Sequence, residues 1–359
     1  MTNQDRETKV NAVFIVKDEW PLLAVTISHA LTNYAEKVII IDTGSQDGIF
    51  EGIRLLEALW KDRVQLFRCS QEIYDQIPLT NLLIEMSKEN DADWTMVLDA
   101  DEFFVHENYL QFLKKLSETS EYWSSYSLPV ANFAVNEGHD DFNLEAFGEI
   151  TSRIISQGAG LLFDQEFPVR VISGELPLQA RNVPHKILVR NSSSIFLALG
   201  AHQVVFGDGI DWVRHDSSVS SVDVLGGMIC HLPFTSTHRL KARVDRTFFD
   251  GGKTFSRLNN DDFNNLSISE LISRATIGSE NKDKWLQASV IIEDNQLSET
   301  LKPVIEKLQK FWPHLTLATF NSEVADSFPD SLDLKIVSQI IRKYHTRAQT
   351  LWDRTSDGE

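Results

Sequence analysis

The chain has 359 residues, 42% hydrophobic and 24% charged, enough for a sizeable core and, by length, for two or three domains. Its formal net charge of −18 excludes non-specific nucleic-acid binding, which needs a basic face to meet phosphates. Cys69 and Cys230 stand outside any C-x-x-C, which argues against zinc ribbons and thioredoxin-type chemistry and leaves two reduced core thiols.

In chain order, the opening MTNQDRETKV is polar and lacks the apolar segment of a signal peptide. No apolar run approaches the ~20 residues that span a bilayer. A cytoplasmic protein is expected, and peripheral association with the inner face of a membrane is compatible with that. Residues 11–16 (NAVFIV) read as a buried strand. Over 19–34, Leu22, Leu23, Val25, Ile27, Ala30 and Leu31 keep close to helical period. Residues 38–41 (VIII) form the second strand, 49–60 a helix and 64–67 the third strand. Pro78 opens a helix to about 88, since proline is harmless in a first turn. Residues 94–98 (WTMVL) are the fourth strand and 106–116 a further helix. This alternation predicts an α/β protein, a mostly parallel sheet with helices on both faces.

From about 124 to 206 short strand-like runs at 126–133, 150–155, 168–172, 187–189, 195–199 and 204–206 alternate with Gly, Asn and Pro. They predict an antiparallel extension, where an acceptor pocket would lie. Residues 235–249 read as a basic-faced helix. From about 268 the chain is mostly helical, with 301–311 and 334–351 the clearest segments and 321–331, broken by Pro329, a loop. The expected organisation is a nucleotide-binding half over 1–120, an acceptor-side half over 121–265 and a C-terminal helical region over 266–359.

Ligands of such sheets bind outside the carboxyl ends of the strands. Three acidic stretches follow predicted strands: Lys17-Asp18-Glu19, 42–48 and 99–103. Asp99 and Asp101 are separated by one residue, so on extended backbone both carboxylates point the same way. Like charges placed together call for a cation between them. Mg²⁺ or Mn²⁺ suits such a donor set, with waters and substrate phosphates filling the shell. In the second stretch, Gly44 and Gly48 permit a tight turn, Ser45 or Asp47 can cap the next helix, and Asp42 can accept from ribose hydroxyls or a base N–H.

With FIVKDE at 14–19, IIIDTGSQDGI at 39–49 and WTMVLDADEFF at 94–104, the chain resembles the family 2-like glycosyltransferases of the GT-A fold, in the subgroup with D-x-D-E-F. Asp18-Glu19 departs from the commoner Asn-Glu of the first motif. HKILVRN at 185–191 and the segment opening at His231 resemble the subgroup more loosely. The resemblance implies a metal-dependent hexosyltransferase moving a sugar from a nucleotide-diphosphate sugar, a UDP-sugar by preference, to a saccharide, lipid-linked or protein acceptor, with inversion favoured and retention left open. It implies that Val16, Asp18, Glu19, Asp42, Ser45, Asp99 and Ala100 line the nucleotide. Asp99 would meet ribose or metal, and Asp101 would be the principal metal ligand, joined by His231 or His202. Arg239, Lys241 and Arg243 would meet the diphosphate or form a solvated basic face. An inverting transfer needs a base near the acceptor hydroxyl; Asp208, Asp211 and Glu149 are the candidates. Two other readings stand: a nucleotidyltransferase, which lacks here the Gly-rich basic signature after the first strand, and a non-catalytic nucleotide-sugar-binding module.

Overall fold

Four parallel strands carry the N-terminal half. The computed structural model describes residues 8–69, 76–119, 125–155, 166–180, 183–191, 195–198, 203–206, 213–215, 225–233, 267–278, 281–319 and 321–328. Strands β1 (Val10–Val16), β2 (Lys37–Asp42), β3 (Val64–Arg68) and β4 (Trp94–Leu98) alternate with helices α1 (Leu22–Asn33), α2 (Ile49–Trp60) and α3 (Gln76–Glu89). The strands are apolar on both faces because each face is covered: Phe14 and Ile40 face one core, Val13 and Ile41 the other. Parallel register aligns Val16 with Asp42 and Phe14 with Leu98, so the ends of β1, β2 and β4 open on one rim.

The sheet continues with strands from later in the chain. β9 (Lys186–Arg190) runs antiparallel beside β4, and β6 (Ser125–Leu128) antiparallel beside β9, giving the order β3-β2-β1-β4-β9-β6. Because β9 is reversed, its first residue, Lys186, lies at the rim where β4 ends. A second sheet has the order β14-β8-β7-β13-β5, from β5 (Glu102–Val105), β7 (Val130–Ala134), β8 (Ser152–Ile154), β13 (Met228–His231) and β14 (Ile291–Glu293). A small antiparallel sheet joins β10 (Ile195–Ala198), β11 (Gln203–Phe206) and β12 (Val213–His215). The α/β architecture with an antiparallel extension is therefore present.

Several elements differ from expectation. The helix expected from 106 begins at Tyr109 as α4 (Tyr109–Ser117), because Glu102–Val105 first form a strand. The run 126–133 divides at Pro129, which has no N–H for a ladder; β6 enters the first sheet and β7 the second. Residues 168–172, expected extended, lie in a helix, α5 (Glu166–Ile172). Pro168 suits its first turn, and Val171 is fully buried while Val169 is exposed, as one helix stripe requires. The expected loop over 321–331 contains a short helix (Ser322–Asp326), because the Asn321 side-chain oxygen Oδ1 caps it, accepting from the N–H groups of Glu323 and Val324 at 3.0 and 3.3 Å.

The C-terminal helices divide between two cores, those over 268–287 packing with β8 and β14 and those from 296 onward packing with α1. α6 (Ile268–Ala275) and α7 (Lys282–Gln287) precede β14; α8 (Gln296–Leu308) lays Leu297, Leu301, Val304 and Leu308 in the cluster that holds α1. After α9 (Trp312–Leu317) comes Ser322–Asp326, which is α10. The Trp20 indole N–H donates to the Leu315 carbonyl at 2.7 Å and lies against Gly52 of α2, where a Cβ would stand 2.0 Å from the ring. This ties the loop after β1 to the C-terminal region. Among the described residues, no helix is long and apolar enough to cross a membrane. The helices expected over 235–249 and 334–351 lie outside the described residues.

Candidate functional site

The first two acidic stretches form one stitched unit. The Asp18 N–H donates to Ser45 Oγ at 2.8 Å, and the Asp18 carboxylate accepts from the Gln46 N–H at 2.6 Å. Asp18 holds a left-handed φ of 51°, which a short polar residue tolerates. Ser45 therefore binds Asp18 rather than capping α2. Asp47 accepts from the Trp20 N–H at 2.7 Å and from the Ile49 N–H, the first of α2, at 3.2 Å. The Val16 carbonyl takes both the N–H and the hydroxyl of Thr43, at 2.9 and 3.0 Å. Glu19 offers its carbonyl to the Leu23 N–H.

Asp42 closes β2 with its side chain buried, accepting from the N–H groups of Gly44 and Ser45 at 3.0 and 3.2 Å. Gly44 at φ 96° makes this turn possible. Burial raises the Asp42 carboxyl above its ordinary range, while the bonds from Ser45 and Gly44 pull it back.

The third stretch is a turn and not an extended segment. The Glu102 N–H donates to the Asp99 carbonyl at 3.1 Å, closing a four-residue turn through Ala100 and Asp101. The expected convergence of the two aspartates on one point is corrected accordingly: they have different partners. Asp99, its side chain 49% exposed, accepts from the Lys186 ammonium at 3.0 Å. Lys186 also lies 3.0 Å from Glu102, and both side chains are 2% exposed. The Glu102 carboxylate in turn accepts from the Asp99 N–H at 2.9 Å. Burial raises the Glu102 carboxyl above its ordinary range, Lys186 pulls it back, and Asp99 and Asp101 add to the rise. Burial alone would lower Lys186, but Asp99 and Glu102 outweigh it and keep the ammonium protonated. The Ala100 carbonyl is anchored by the Thr26 hydroxyl at 2.6 Å.

Asp101 turns the other way. Its backbone carbonyl accepts from the Leu232 N–H at 2.8 Å, and its Oδ1 lies 3.7 Å from His231 Nε2. The His231 tautomer follows from its neighbours. Asn132 Nδ2 donates to the Gln179 carbonyl at 2.6 Å, so Asn132 Oδ1 is an acceptor, 2.7 Å from His231 Nδ1. Nδ1 therefore donates to Asn132, and Nε2 is the ring nitrogen on the Asp101 side.

Among the described residues, no group of three or more His, Cys, Asp or Glu side chains is placed to hold a metal ion. Asp101 and His231 supply two donors of the oxygen-plus-imidazole kind that Mn²⁺ accepts, and a cation so held fills its shell with phosphate oxygens and water. His202, Asp208, Asp211, Arg239, Lys241 and Arg243 lie outside the described residues. The sequence reading missed the roles of Lys186, Asn132 and Gln179. For Lys186 a signal existed, a lysine heading the apolar run KILV, since a buried ammonium must find carboxylates. Asn132 and Gln179 carried none.

No family model matches the chain, and no curated protein does. Among solved structures it is similar to S. aureus TarS, with TM-score 0.30 and 10% identity over 51% of this chain and 28% of that one. The complex of TarS 1–349 with UDP gives TM-score 0.32 and 10% identity over 51% and 47% of the two chains. TarS 1–349 gives TM-score 0.32 and 11% identity over 94% and 92%. In the first two of these comparisons the chain spans less than half of the TarS chain. These similarities do not place the chain in a family.

Proposed function

We propose that this chain is a glycosyltransferase using a nucleotide-diphosphate sugar, with UDP the favoured nucleotide. The observation that carries the reading is the gathering of Asp18, Asp42, Asp99 and Asp101 at the carboxyl ends of β1, β2 and β4, with His231 Nε2 3.7 Å from the Asp101 carboxylate. Asp42 would hold the ribose and base side of the donor, and Asp99 the ribose. Asp101 and His231 would hold Mn²⁺ or Mg²⁺. Such a cation stabilises a departing nucleoside diphosphate. Arg239 and Lys241 remain the proposed diphosphate contacts, His202 an additional metal ligand, and Asp208 and Asp211 the candidate bases of an inverting hexosyl transfer. We assign residues 121–265 to the acceptor side, for a saccharide, lipid-linked or protein acceptor, and 266–359 to an accessory helical region. A cytoplasmic site of action, with peripheral attachment to a membrane, belongs to the same proposal.

The test is a thermal-shift screen of UDP-, GDP- and CMP-sugars with Mn²⁺ and with EDTA. A ligand that binds only the folded state raises the melting point. A rise with UDP-sugar and Mn²⁺ that EDTA abolishes is expected. No metal-dependent rise with any of the nucleotides would sink the metal-dependent transferase and favour a binding module.

A further inference from the structure

Thr26 lies within α1 between Val25 and Ile27 and is buried. Its hydroxyl has one proton and two acceptors in reach, the Leu22 carbonyl of its own helix at 3.3 Å and the Ala100 carbonyl of the acidic turn at 2.6 Å. A threonine inside a helix ordinarily bonds back to the carbonyl four residues before it. Here the shorter contact leaves the helix and crosses to a residue 74 positions later. The neighbouring carbonyls of the turn are held from elsewhere, that of Asp99 by the Glu102 N–H at 3.1 Å and that of Asp101 by the Leu232 N–H at 2.8 Å. Thr26 adds a tie from the turn to α1.

We propose that Thr26 is a positioning residue of the donor site: its hydroxyl sets the acidic turn at the separation from Asp18 and Asp42 that a nucleotide-diphosphate sugar spans. This rests on the reading of the rim as a nucleotide-sugar site. α1 starts directly after the first acidic stretch, where the Leu23 N–H donates to the Glu19 carbonyl at 3.0 Å, and Asp18 is stitched to Ser45 and Gln46 beside Asp42. One turn of helix therefore links the Asp18 and Asp42 side of the rim to the Asp99 and Asp101 side. The peptide group is planar, so holding the Ala100 carbonyl fixes the plane of the Ala100–Asp101 peptide and the direction in which the Asp101 side chain leaves. Without the hydroxyl, a buried carbonyl loses its donor and the turn must shift to find another. Ser28, buried on the same helix, serves as the control: its hydroxyl accepts from the Trp60 indole N–H of α2 at 3.3 Å and makes no bond to the turn.

Calorimetric titration of the full chain with UDP in the presence of Mn²⁺, together with the melting temperature and amide exchange over 99–102, tests this apart from turnover. Thr26→Val should weaken UDP binding by about 5- to 10-fold, the order of one hydrogen bond lost from a buried carbonyl. It should also speed exchange of the Glu102 N–H. Thr26→Ser keeps the hydroxyl and should return UDP affinity to within about 2-fold of the native chain. Ser28→Ala should lower the melting temperature and leave UDP affinity within about 2-fold, since it has no partner in the turn. Equal losses of affinity in Thr26→Val and Ser28→Ala, or none in Thr26→Val, reduce Thr26 to packing and overturn the inference. If Thr26→Val does not fold, Thr26→Ser and Thr26→Ala differ by the hydroxyl alone, and equal affinities in that pair overturn it. A native chain that gives no titration with UDP overturns the inference together with the reading of the rim, a result distinct from a native-like Thr26→Val.

Discussion

His231 on β13 is in register with Glu102 on β5, and this pairing sets its imidazole 3.7 Å from the neighbouring Asp101 carboxylate. The two residues are 130 positions apart in the sequence (231 minus 101). The backbone bond from Leu232 to Asp101 holds the approach independently of either side chain. Substitution of the carboxylate should therefore change chemistry more than stability. Asp101→Ala is expected to abolish transfer and the Mn²⁺-dependent thermal shift, with a far-UV spectrum like that of the native chain. Native turnover in this variant would remove Asp101 from the metal site.

Asn132 acts on the same site from behind. It accepts from His231 Nδ1 and so fixes which ring nitrogen faces Asp101. Asn132→Leu should weaken Mn²⁺ binding by about 10- to 100-fold, the usual effect of losing a partner that orients a ligand. Calorimetric titration with Mn²⁺ in the presence of UDP checks it, and an unchanged affinity would show that the tautomer does not matter.

Gly52 makes room for Trp20, whose ring would meet a Cβ at 2.0 Å. Gly52→Ala should destabilise the protein by about 1–3 kcal/mol through overpacking. Urea unfolding measures it. Because Trp20 also holds the Leu315 carbonyl, the same variant should raise proteolytic sensitivity near 312–317.

Asp47 predicts a pH dependence. Burial raises its carboxyl from 3.8 to about 6, with the bonds from Trp20 and Ile49 opposing the rise. The folded state thus holds this proton more tightly than the unfolded chain. The associated stabilisation is complete below about pH 4 and is lost as pH rises through about 6. Asp47→Asn should remove that component, so the stability difference between native and variant proteins should change between pH 4 and 7 in urea titrations. A difference independent of pH would contradict the assignment.

Ser45→Ala removes the acceptor of the Asp18 N–H and should cost about 1 kcal/mol. It should also weaken UDP binding, since Asp18 would no longer be held against the second turn. UDP affinity and melting temperature, measured together, separate the two effects.

Short-range physics made much of the N-terminal half legible in the residues alone. The strands over 94–98 and 64–68 and the helix over 49–60 follow from apolar periodicity, and a parallel sheet places any strand-end carboxylate on its ligand-binding rim. Asp18, Asp42, Asp99 and Asp101 were found this way. Periodicity failed where elements are short. Residues 168–172 alternate like a strand but form a helix, and Glu102–Val105 look like the continuation of an acidic loop but form a strand. The partners of the acidic turn were beyond local reading altogether. Lys186 meets Asp99 because β9 runs against β4, and His231 meets Asp101 because β13 pairs with β5. Those registers depend on which strands become neighbours, a property of the whole core and not of any segment. The sequence by itself determined that carboxylates would gather on one rim. Only the tertiary structure decided that one of them faces an ammonium and another a histidine.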